Sequence, residues 1–159
     1  MNSILLDTSF CIRLLKKDDP FHANTVEYFE YFLSNKIEMY LSTIVVSEYS
    51  VKDDPNNLPL KTMKLITFDF FDAKKSGEFY NSLIENRKEK IKSDRIVVIN
   101  DCKLIAQIAN RNIEGYITKD KKSFDEILTP LQQNFSLQFQ TLDLTIPLSQ
   151  TKNEIPFPH

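Results

Sequence analysis

Short apolar runs alternate with amphipathic segments along this chain, and this alternation limits the fold more than any other feature. Ser3–Leu6 is a short, continuous apolar run, as expected for a strand buried on both faces. Four further strands are predicted at residues 38–41, 64–68, 113–118 and 137–142. Strands that alternate with helices form a mainly parallel sheet that is covered by helices on both faces. The sequence therefore predicts an α/β fold with three layers, α/β/α.

Helices are predicted between the strands from capping residues and helical spacing. Asp7-Thr8-Ser9 supplies caps for a helix over about residues 10–17, and Pro20 cannot continue that helix. The other helices are expected at residues 21–34, from Ser42 or Thr43 through Tyr49, and at 72–90, 101–110 and 123–128. Residues 96–99 are expected to be a short apolar approach to the helix that Asp101 opens. Residues 52–59 carry many turn formers and are predicted to be a loop.

The length of the chain and its apolar content predict one domain with a sizeable core. It has 159 residues, of which 42% are hydrophobic. We expect residues 1–145 to form the domain and residues 146–159, which hold three prolines, to be an irregular C-terminal tail. No stretch approaches the roughly 20 apolar residues of a membrane span, and no secretory signal is visible. A cytoplasmic protein with no membrane partner is therefore expected.

Composition also argues against several kinds of site. With 2 glycines, the chain has no Gly-rich loop for binding phosphate. With 2 cysteines and 2 histidines, it is a poor candidate for a Cys/His zinc site. The formal net charge of −2 does not indicate a polyanionic partner, so any such prediction depends on local patches.

Four acidic residues stand where the predicted elements would present them to a shared cleft. Asp7 and Asp120 fall just beyond the carboxyl ends of predicted strands, and Glu48 and Asp101 are expected in the first turns of helices that follow the same edge. Open α/β sheets bind ligands outside the carboxyl ends of their strands. The four carboxylates are therefore predicted to converge.

Such a cluster predicts a divalent metal ion. Carboxylates beside buried segments are costly unless positive charge neutralises them, and hard oxygen ligands suit Mg²⁺ or Mn²⁺. Metal ions held by carboxylates can activate a water and stabilise a leaving oxygen, which is the chemistry of phosphodiester hydrolysis. Basic residues beside the cleft would anchor neighbouring phosphates. The candidates are Arg13, Lys16 and Lys17, then Lys119, Lys121 and Lys122, and the group from Arg87 to Arg95.

Each residue of this pattern also has a purely structural interpretation. Asp7 and Asp101 are good N-cap residues, and Asp120 is a common turn residue. Basic clusters are most often solvated helix faces. Glu48 lies on a half-buried helix face, where an unpaired acid is rare, and it points more strongly to function. The conjunction of the four acids at one sheet edge carries the metal hypothesis.

The motifs around these acids resemble those of PIN-domain ribonucleases, the fold of the VapC-type toxins of toxin–antitoxin systems. The similar motifs are Leu5-Leu6-Asp7-Thr8-Ser9, Val45-Val46-Ser47-Glu48, residues 100–109 from Asn100-Asp101 to Ala109, and residues 117–124 around Thr118-Lys119-Asp120. Each motif alone is short, whereas their order and spacing together are fairly specific. The resemblance spans about residues 4–142.

This resemblance implies a PIN-like fold, a metal centre and partners. By it, Asp7, Glu48, Asp101 and Asp120 are expected to bind Mg²⁺ or Mn²⁺ and to catalyse RNA cleavage. Thr8, Ser9 and Thr118 match polar positions that line such sites, with Thr118 expected to orient Asp120, and Arg13, Lys119 and Lys121 are candidates for contacting the substrate. The family typically dimerises, and its toxins are inhibited by a small antitoxin protein. The chain departs from the family pattern at Asn100, where a small residue is common, in the loop at 53–59 and in the tail.

Two other functions are compatible with an acidic sheet edge. The first is a catalytically silent PIN-like module that binds RNA or a protein, in which the acids bind no metal. The second is a phosphoacceptor receiver domain. A receiver has adjacent acids after its first strand and a lysine after its fifth, but here Thr8-Ser9 follows Asp7 and Lys119 comes one strand too early.

Overall fold

A parallel sheet forms the centre of the protein in a computed structural model that describes residues 1–85, 95–151 and 155. Its five strands are β1 (Ser3–Leu6), β2 (Glu38–Ser42), β3 (Met63–Ile66), β4 (Gly115–Thr118) and β5 (Gln140–Asp143). Their order is β3-β2-β1-β4-β5, and every adjacent pair is parallel. The predicted parallel sheet is confirmed.

The central strand β1 pairs with the strands on both sides. Ser3 lies opposite Glu38 of β2, and Ile4 lies opposite Gly115 of β4. The strand order therefore reverses between β1 and β4, because β2 and β3 lie on one side of β1, and β4 and β5 lie on the other. The carboxyl edge at such a reversal is where α/β proteins bind ligands.

Helices cover both faces of the sheet. In the described residues they are α1 (Thr8–Leu15), α2 (His22–Ser34), α3 (Thr43–Tyr49), α4 (Phe70–Glu85), α5 (Arg95–Arg111), α6 (Lys121–Phe135) and α7 (Leu148–Thr151). Helix α1 packs against α2 and α3, whereas α4, α5 and α6 pack against one another. The residues of β1 are fully buried at Ile4, Leu5 and Leu6, so the core lies on both faces of this strand. The predicted three-layer α/β/α fold is confirmed.

Helix α5 begins earlier than predicted, which moves Asp101 away from a helix start. The residues expected to approach the helix, 96–99, already belong to α5. Val98, Cys102 and Ile105 recur at helical spacing and are completely buried. The apolar stripe of the helix therefore extends back to Val98, within residues 96–99, all of which are branched at Cβ. Branching at Cβ lowers helix propensity only slightly, and this burial outweighs it.

Glu48 also lies further along its helix than expected. Ser42 caps α3 by accepting a hydrogen bond from the backbone N–H of Ile44, so the helix starts at Thr43 and Glu48 falls in its last turn. The loop predicted at 52–59 contains a 3₁₀ turn, Pro55–Asn57, which Asp54 caps. The helix predicted at 72–90 starts at Phe70, and its expected residues 86–90 lie outside the described part of the chain.

The C-terminal tail is less irregular than predicted, because α7 forms within it and packs on α2. The Tyr28 hydroxyl lies 2.6 Å from the Thr151 hydroxyl and donates to the Ile146 carbonyl at 3.1 Å. Ile155 is also buried. These contacts join residues 146–151 and 155 to the core. Separately, no helix among the described residues is long and apolar enough to cross a bilayer.

Candidate metal and nucleic-acid site

One cavity of about 230 Å³ brings the four predicted acids together at the carboxyl edge of β1 and β4. Its lining residues are Asp7, Glu48, Ile96, Val97, Asn100, Asp101, Tyr116, Thr118, Asp120, Ser123 and Phe124. The acids come from four separate segments, the β1–α1 junction, α3, α5 and the β4–α6 junction. Strand ends and helices thus carry carboxylates from distant parts of the sequence to one place.

Asp7 is held by four hydrogen bonds, which fix its side chain at the end of β1. Its Oδ2 accepts from the backbone N–H and the hydroxyl of Ser9, at 3.2 and 2.5 Å, and from the Thr118 hydroxyl at 2.9 Å. Its Oδ1 accepts from the Tyr116 hydroxyl at 2.9 Å. Asp7 therefore caps α1, as its structural interpretation requires, and also faces the cavity. Because Oδ1 has one described donor, it keeps capacity for a further ligand.

Glu48 is held from both sides by neutral donors. The Thr8 hydroxyl donates to Oε2 at 2.5 Å, and the Asn100 side-chain amide donates to Oε1 at 2.9 Å. These contacts explain how an acid in the last turn of α3 still faces the cavity. Asn100, the residue at which the chain departs from the family pattern, thus donates a hydrogen bond to one of the four acids.

Asp101 and Asp120 differ from the other two acids, since no donor in the described residues hydrogen-bonds to their carboxylates. Burial, followed by the nearby charges of Asp7, Glu48 and Asp120, raises the pKa of Asp101 to about 7. Asp120 lies at the exposed start of α6, and its side chain does not cap that helix. These two carboxylates are therefore the ones able to turn toward an incoming cation.

The predicted polar residues Thr8, Ser9 and Thr118 all surround the acids. Thr118 was expected to orient the Asp120 side chain, but its hydroxyl accepts from the Asp120 backbone N–H at 3.1 Å and donates to Asp7. The Ser9 hydroxyl also accepts from the backbone N–H of Lys119 at 3.0 Å. Both hydroxyls thus tie the β1 and β4 strand ends together.

Among the residues whose side chains the structure describes, the predicted basic residues do not line the cavity. Arg13 is half-buried, where it donates to the Ser9 carbonyl at 2.9 Å and lies 3.3 Å from Asp19. Lys121 forms an ion pair with Asp125 on α6, and the part of Lys119 that contacts the site is its backbone. The group from Arg87 to Arg95 lies outside the residues whose side chains the structure describes.

Tyr116, Asn100 and Ser123 are polar residues of the cavity wall that the sequence did not indicate as functional. Tyr116 falls in the apolar strand β4, where an aromatic residue reads as core, and it is indeed buried. Its ring stacks on Phe124 with centroids 4.3 Å apart. The sequence marks Asn100 as a departure from the family pattern before Asp101, but it predicts no role for that side chain.

The donor set fits a hard divalent cation, although the ligands are not yet gathered around one point. Four carboxylates share the cavity, and in the described residues no lysine or arginine lies within ion-pair distance of any of them. Such a charge cluster favours a metal ion. However, no three carboxylate, imidazole or thiol groups within the described ranges are close enough to bind a metal ion as they stand. Mg²⁺ keeps several waters and needs few direct protein ligands.

Comparison with solved structures identifies the fold. No family model matches the sequence, and no curated protein matches it. A chain of VapBC2 from Rickettsia felis, solved bound to a DNA fragment from its promoter, is similar with a TM-score of 0.61 and 19% identity, over 89% of this chain and 99% of that chain. DNA-bound VapBC from Salmonella typhimurium is similar with a TM-score of 0.59 and 18% identity, over 91% of this chain and 99% of that chain.

A third similar structure is FitAcB from Neisseria gonorrhoeae, with a TM-score of 0.62 and 16% identity, over 89% of this chain and 98% of that chain. At these identities, the similarity establishes the fold. The chain has the PIN-like fold of VapC-type proteins, as its motifs predicted.

Proposed function

We propose that this protein is a metal-dependent endoribonuclease that hydrolyses RNA phosphodiester bonds, and that it is the toxin of a type II toxin–antitoxin pair. The observation that carries the proposal is the cavity at the strand reversal, which is lined by Asp7, Glu48, Asp101 and Asp120. The fold it shares with VapC-type proteins supports the same conclusion.

The four acids would hold Mg²⁺ or Mn²⁺. When bound, the divalent ion supplies Lewis acidity toward a phosphodiester and toward the attacking water. Asp7 would use Oδ1, since Ser9 and Thr118 already occupy Oδ2. Asp101 would give up the proton that its raised pKa holds near neutral pH. Thr8 and Asn100 would keep Glu48 turned into the cavity.

The rest of the cavity wall fits a nucleic-acid strand better than a small anion. Ile96 and Val97 are exposed at the cavity. Exposed apolar side chains of this kind can pack against unstacked bases, which single-stranded and looped RNA offers. Lys119 and Lys121 remain candidates for contacting phosphates farther along the strand.

The toxin role implies further partners. We expect a small antitoxin protein to bind this chain and to block the acidic cavity, a homodimer to form, and the protein to act in the cytoplasm. The support is the resemblance of the sequence motifs to those of VapC-type toxins, together with the shared fold.

The test is cleavage by isosteric variants. Wild-type protein should cut a looped RNA in Mg²⁺ or Mn²⁺ and stop in excess chelator, whereas Glu48→Gln and Asp101→Asn should lose at least about 100-fold in rate. Glu30→Gln, which neutralises an exposed acid on α2 outside the cavity, should cleave normally. Circular dichroism and thermal unfolding check that each variant is folded. Full activity in either cavity variant, or an inactive wild type in both metals, would refute the mechanism.

A catalytically silent PIN-like module is the second candidate. It is favoured by one observation, the lack of a ready-made metal-binding group of three side chains in the described residues. Calorimetric titration with Mn²⁺ separates the two functions. Absence of Mn²⁺ binding together with intact RNA binding would select the silent module.

A further inference from the structure

Glu48 is connected to a positive charge through a neutral side chain. The Asn100 amide nitrogen donates to Glu48 Oε1 at 2.9 Å, and the Lys103 ammonium donates to the Asn100 amide oxygen at 3.2 Å. Asn100 and Lys103 are both half-buried on α5, three residues apart, and so lie on the same side of that helix. The chain of contacts therefore runs from α5 to α3 along the wall of the cavity.

The chemistry of the two outer groups determines how the Asn100 amide is oriented. An ammonium group can only donate hydrogen bonds, and a carboxylate can only accept them. The amide must therefore turn its oxygen to Lys103 and its nitrogen to Glu48. In the reversed orientation, the amide NH₂ group would face the Lys103 ammonium, and the amide oxygen would face the Glu48 carboxylate. Donors would then meet donors, and acceptors would meet acceptors. Lys103 thus fixes which end of Asn100 meets Glu48.

This arrangement places a positive charge near the acids without neutralising any of them. A direct ion pair between Lys103 and Glu48 would occupy the carboxylate and compete with a metal ion. The intervening amide instead leaves the Glu48 carboxylate without a cationic partner and donates one hydrogen bond to it. Thr8 holds the other oxygen, so the carboxylate is fixed at both ends.

We infer that Asn100 and Lys103 are positioning residues for Glu48, which set the direction in which this carboxylate meets a divalent ion. This inference rests on the proposed function, because it assumes that Glu48 is a metal ligand. Lys103 acts through Asn100, so the two residues form one unit. Hydrogen-bond partners of metal ligands commonly contribute about 10-fold to 100-fold in metal affinity.

A double-mutant cycle with Mn²⁺ as the probe tests this unit. Binding of Mn²⁺ to the full chain is measured by electron paramagnetic resonance, without RNA. Asn100→Ala should weaken binding about 10-fold or more, because Glu48 loses its held orientation. Lys103→Met keeps the aliphatic stem and should weaken binding by a smaller factor. Lys103→Arg should restore affinity, since a guanidinium also donates to the amide oxygen.

The double variant Asn100→Ala/Lys103→Met decides whether the two residues act together. If Lys103 acts through Asn100, the double variant should bind Mn²⁺ as Asn100→Ala does, with no added loss. Lys74→Met removes an exposed lysine on α4 and should bind as the wild type. Thermal unfolding is measured for every variant. If Asn100→Ala does not fold, the Mn²⁺ affinity of Lys103→Met still tests whether the unit positions Glu48.

The outcomes distinguish this inference from the proposed function. Wild-type affinity in Asn100→Ala and Lys103→Met, in a protein that does bind Mn²⁺, would overturn the inference and leave the proposed function standing. If the losses of Mn²⁺ affinity in the two single variants add up in the double variant, Lys103 does not act through Asn100. A wild type that binds no Mn²⁺ would overturn the proposed function and this inference together.

Discussion

The Tyr116 hydroxyl donates a 2.9 Å hydrogen bond to Oδ1 of Asp7, between residues 109 positions apart in the sequence. The Tyr116 ring stacks on Phe124 at an interplanar angle of 29°, so the hydroxyl is aimed by packing. Burial, followed by the charges of Asp7 and Asp101, raises the pKa of Tyr116 well above its ordinary value, so the hydroxyl stays protonated and donates. The acid at the end of β1 is thus oriented by a residue of β4.

Replacing Tyr116 with phenylalanine should weaken Mn²⁺ binding without unfolding the protein. The variant keeps the stacking on Phe124 and loses the donor to Asp7, and we expect roughly a 10-fold loss of affinity by analogy with other residues that hold metal ligands. Electron paramagnetic resonance of bound Mn²⁺ provides the measurement. Tyr40→Phe is the matched control, since Tyr40 donates to Glu38 on the surface. Equal affinities in the two variants would contradict the role assigned to Tyr116.

The stability of the metal-free protein should fall as the pH rises from about 4 to about 7. The pKa of Asp101 is raised from 3.8 to about 7 in the folded chain. Within that window the folded state binds more protons than the unfolded state, so the free energy of unfolding decreases with rising pH, and above pH 7 this contribution is constant. At about 1.4 kcal/mol per pKa unit, the effect amounts to a few kcal/mol.

Urea denaturation in chelator at pH 5 and pH 8 measures this dependence. Asp101→Asn cannot ionise, so it should be more stable than the wild type at pH 8 and should lose most of the pH dependence. The difference between the two proteins isolates Asp101 from other titrating groups. Parallel pH profiles for the two proteins would show that Asp101 is not the group responsible.

Mn²⁺ affinity should decrease at acid pH. A cation must displace the proton from Asp101, so binding is expected to weaken as the pH drops below about 7. Titrations at pH 6 and pH 8 in matched ionic strength provide the comparison. An unchanged affinity between these pH values would mean that no proton leaves when the metal binds.

Arg111 should be the most important cation for stability among the described residues. Asp72 is completely buried and accepts from Arg111 at 2.7 Å and from the Asn110 amide at 2.9 Å. Burial alone would raise the pKa of Asp72, but these bonds and that of the Asp69 backbone outweigh it and hold the pKa below its ordinary value. The pair joins the start of α4 to the end of α5.

Arg111→Met should therefore destabilise the protein by about 3–5 kcal/mol, because it leaves a buried charge without its ionic partner. Asp72→Asn/Arg111→Met should recover part of this loss. Lys64→Met removes the exposed pair with Glu38 and should cost less than about 1 kcal/mol. Urea denaturation of the three variants gives the values, and a loss below about 1 kcal/mol in Arg111→Met would disprove the prediction.

The sequence predicted the parts of the site that depend on parallel-strand geometry. Asp7 and Asp120 follow buried strands, and the carboxyl ends of parallel strands meet at one edge, so their convergence could be expected from local patterns. The sequence predicts a helix start at Asp101, because residues 96–99 are all branched at Cβ and favour an extended conformation. In the structure these residues belong to α5, and Val98 is buried within that helix. Metal binding by the four acids stays a prediction.

The hydrogen bonds that hold the acids could not be read from the sequence. Asn100 and Glu48 are 52 residues apart, and Tyr116 and Asp7 are 109 apart. Neither pair follows a helical or strand period, so only the packed structure brings them together. Likewise, Thr151 and Ile155, the buried residues in the described part of the tail, stand among prolines and polar residues in the sequence, where no periodicity indicates a contact.

The position of β1 at the centre of the sheet has a consequence for synthesis. A ribosome makes β1 before the other strands of the sheet, but the second neighbour of β1 begins at Gly115, after β2 and β3 have been made. Until then one edge of β1 has no partner, and Asp7 lacks both Tyr116 and Thr118. The acidic cavity is therefore complete only after β4 has been made, and a nascent chain that lacks β4 would also lack the complete site of the proposed ribonuclease.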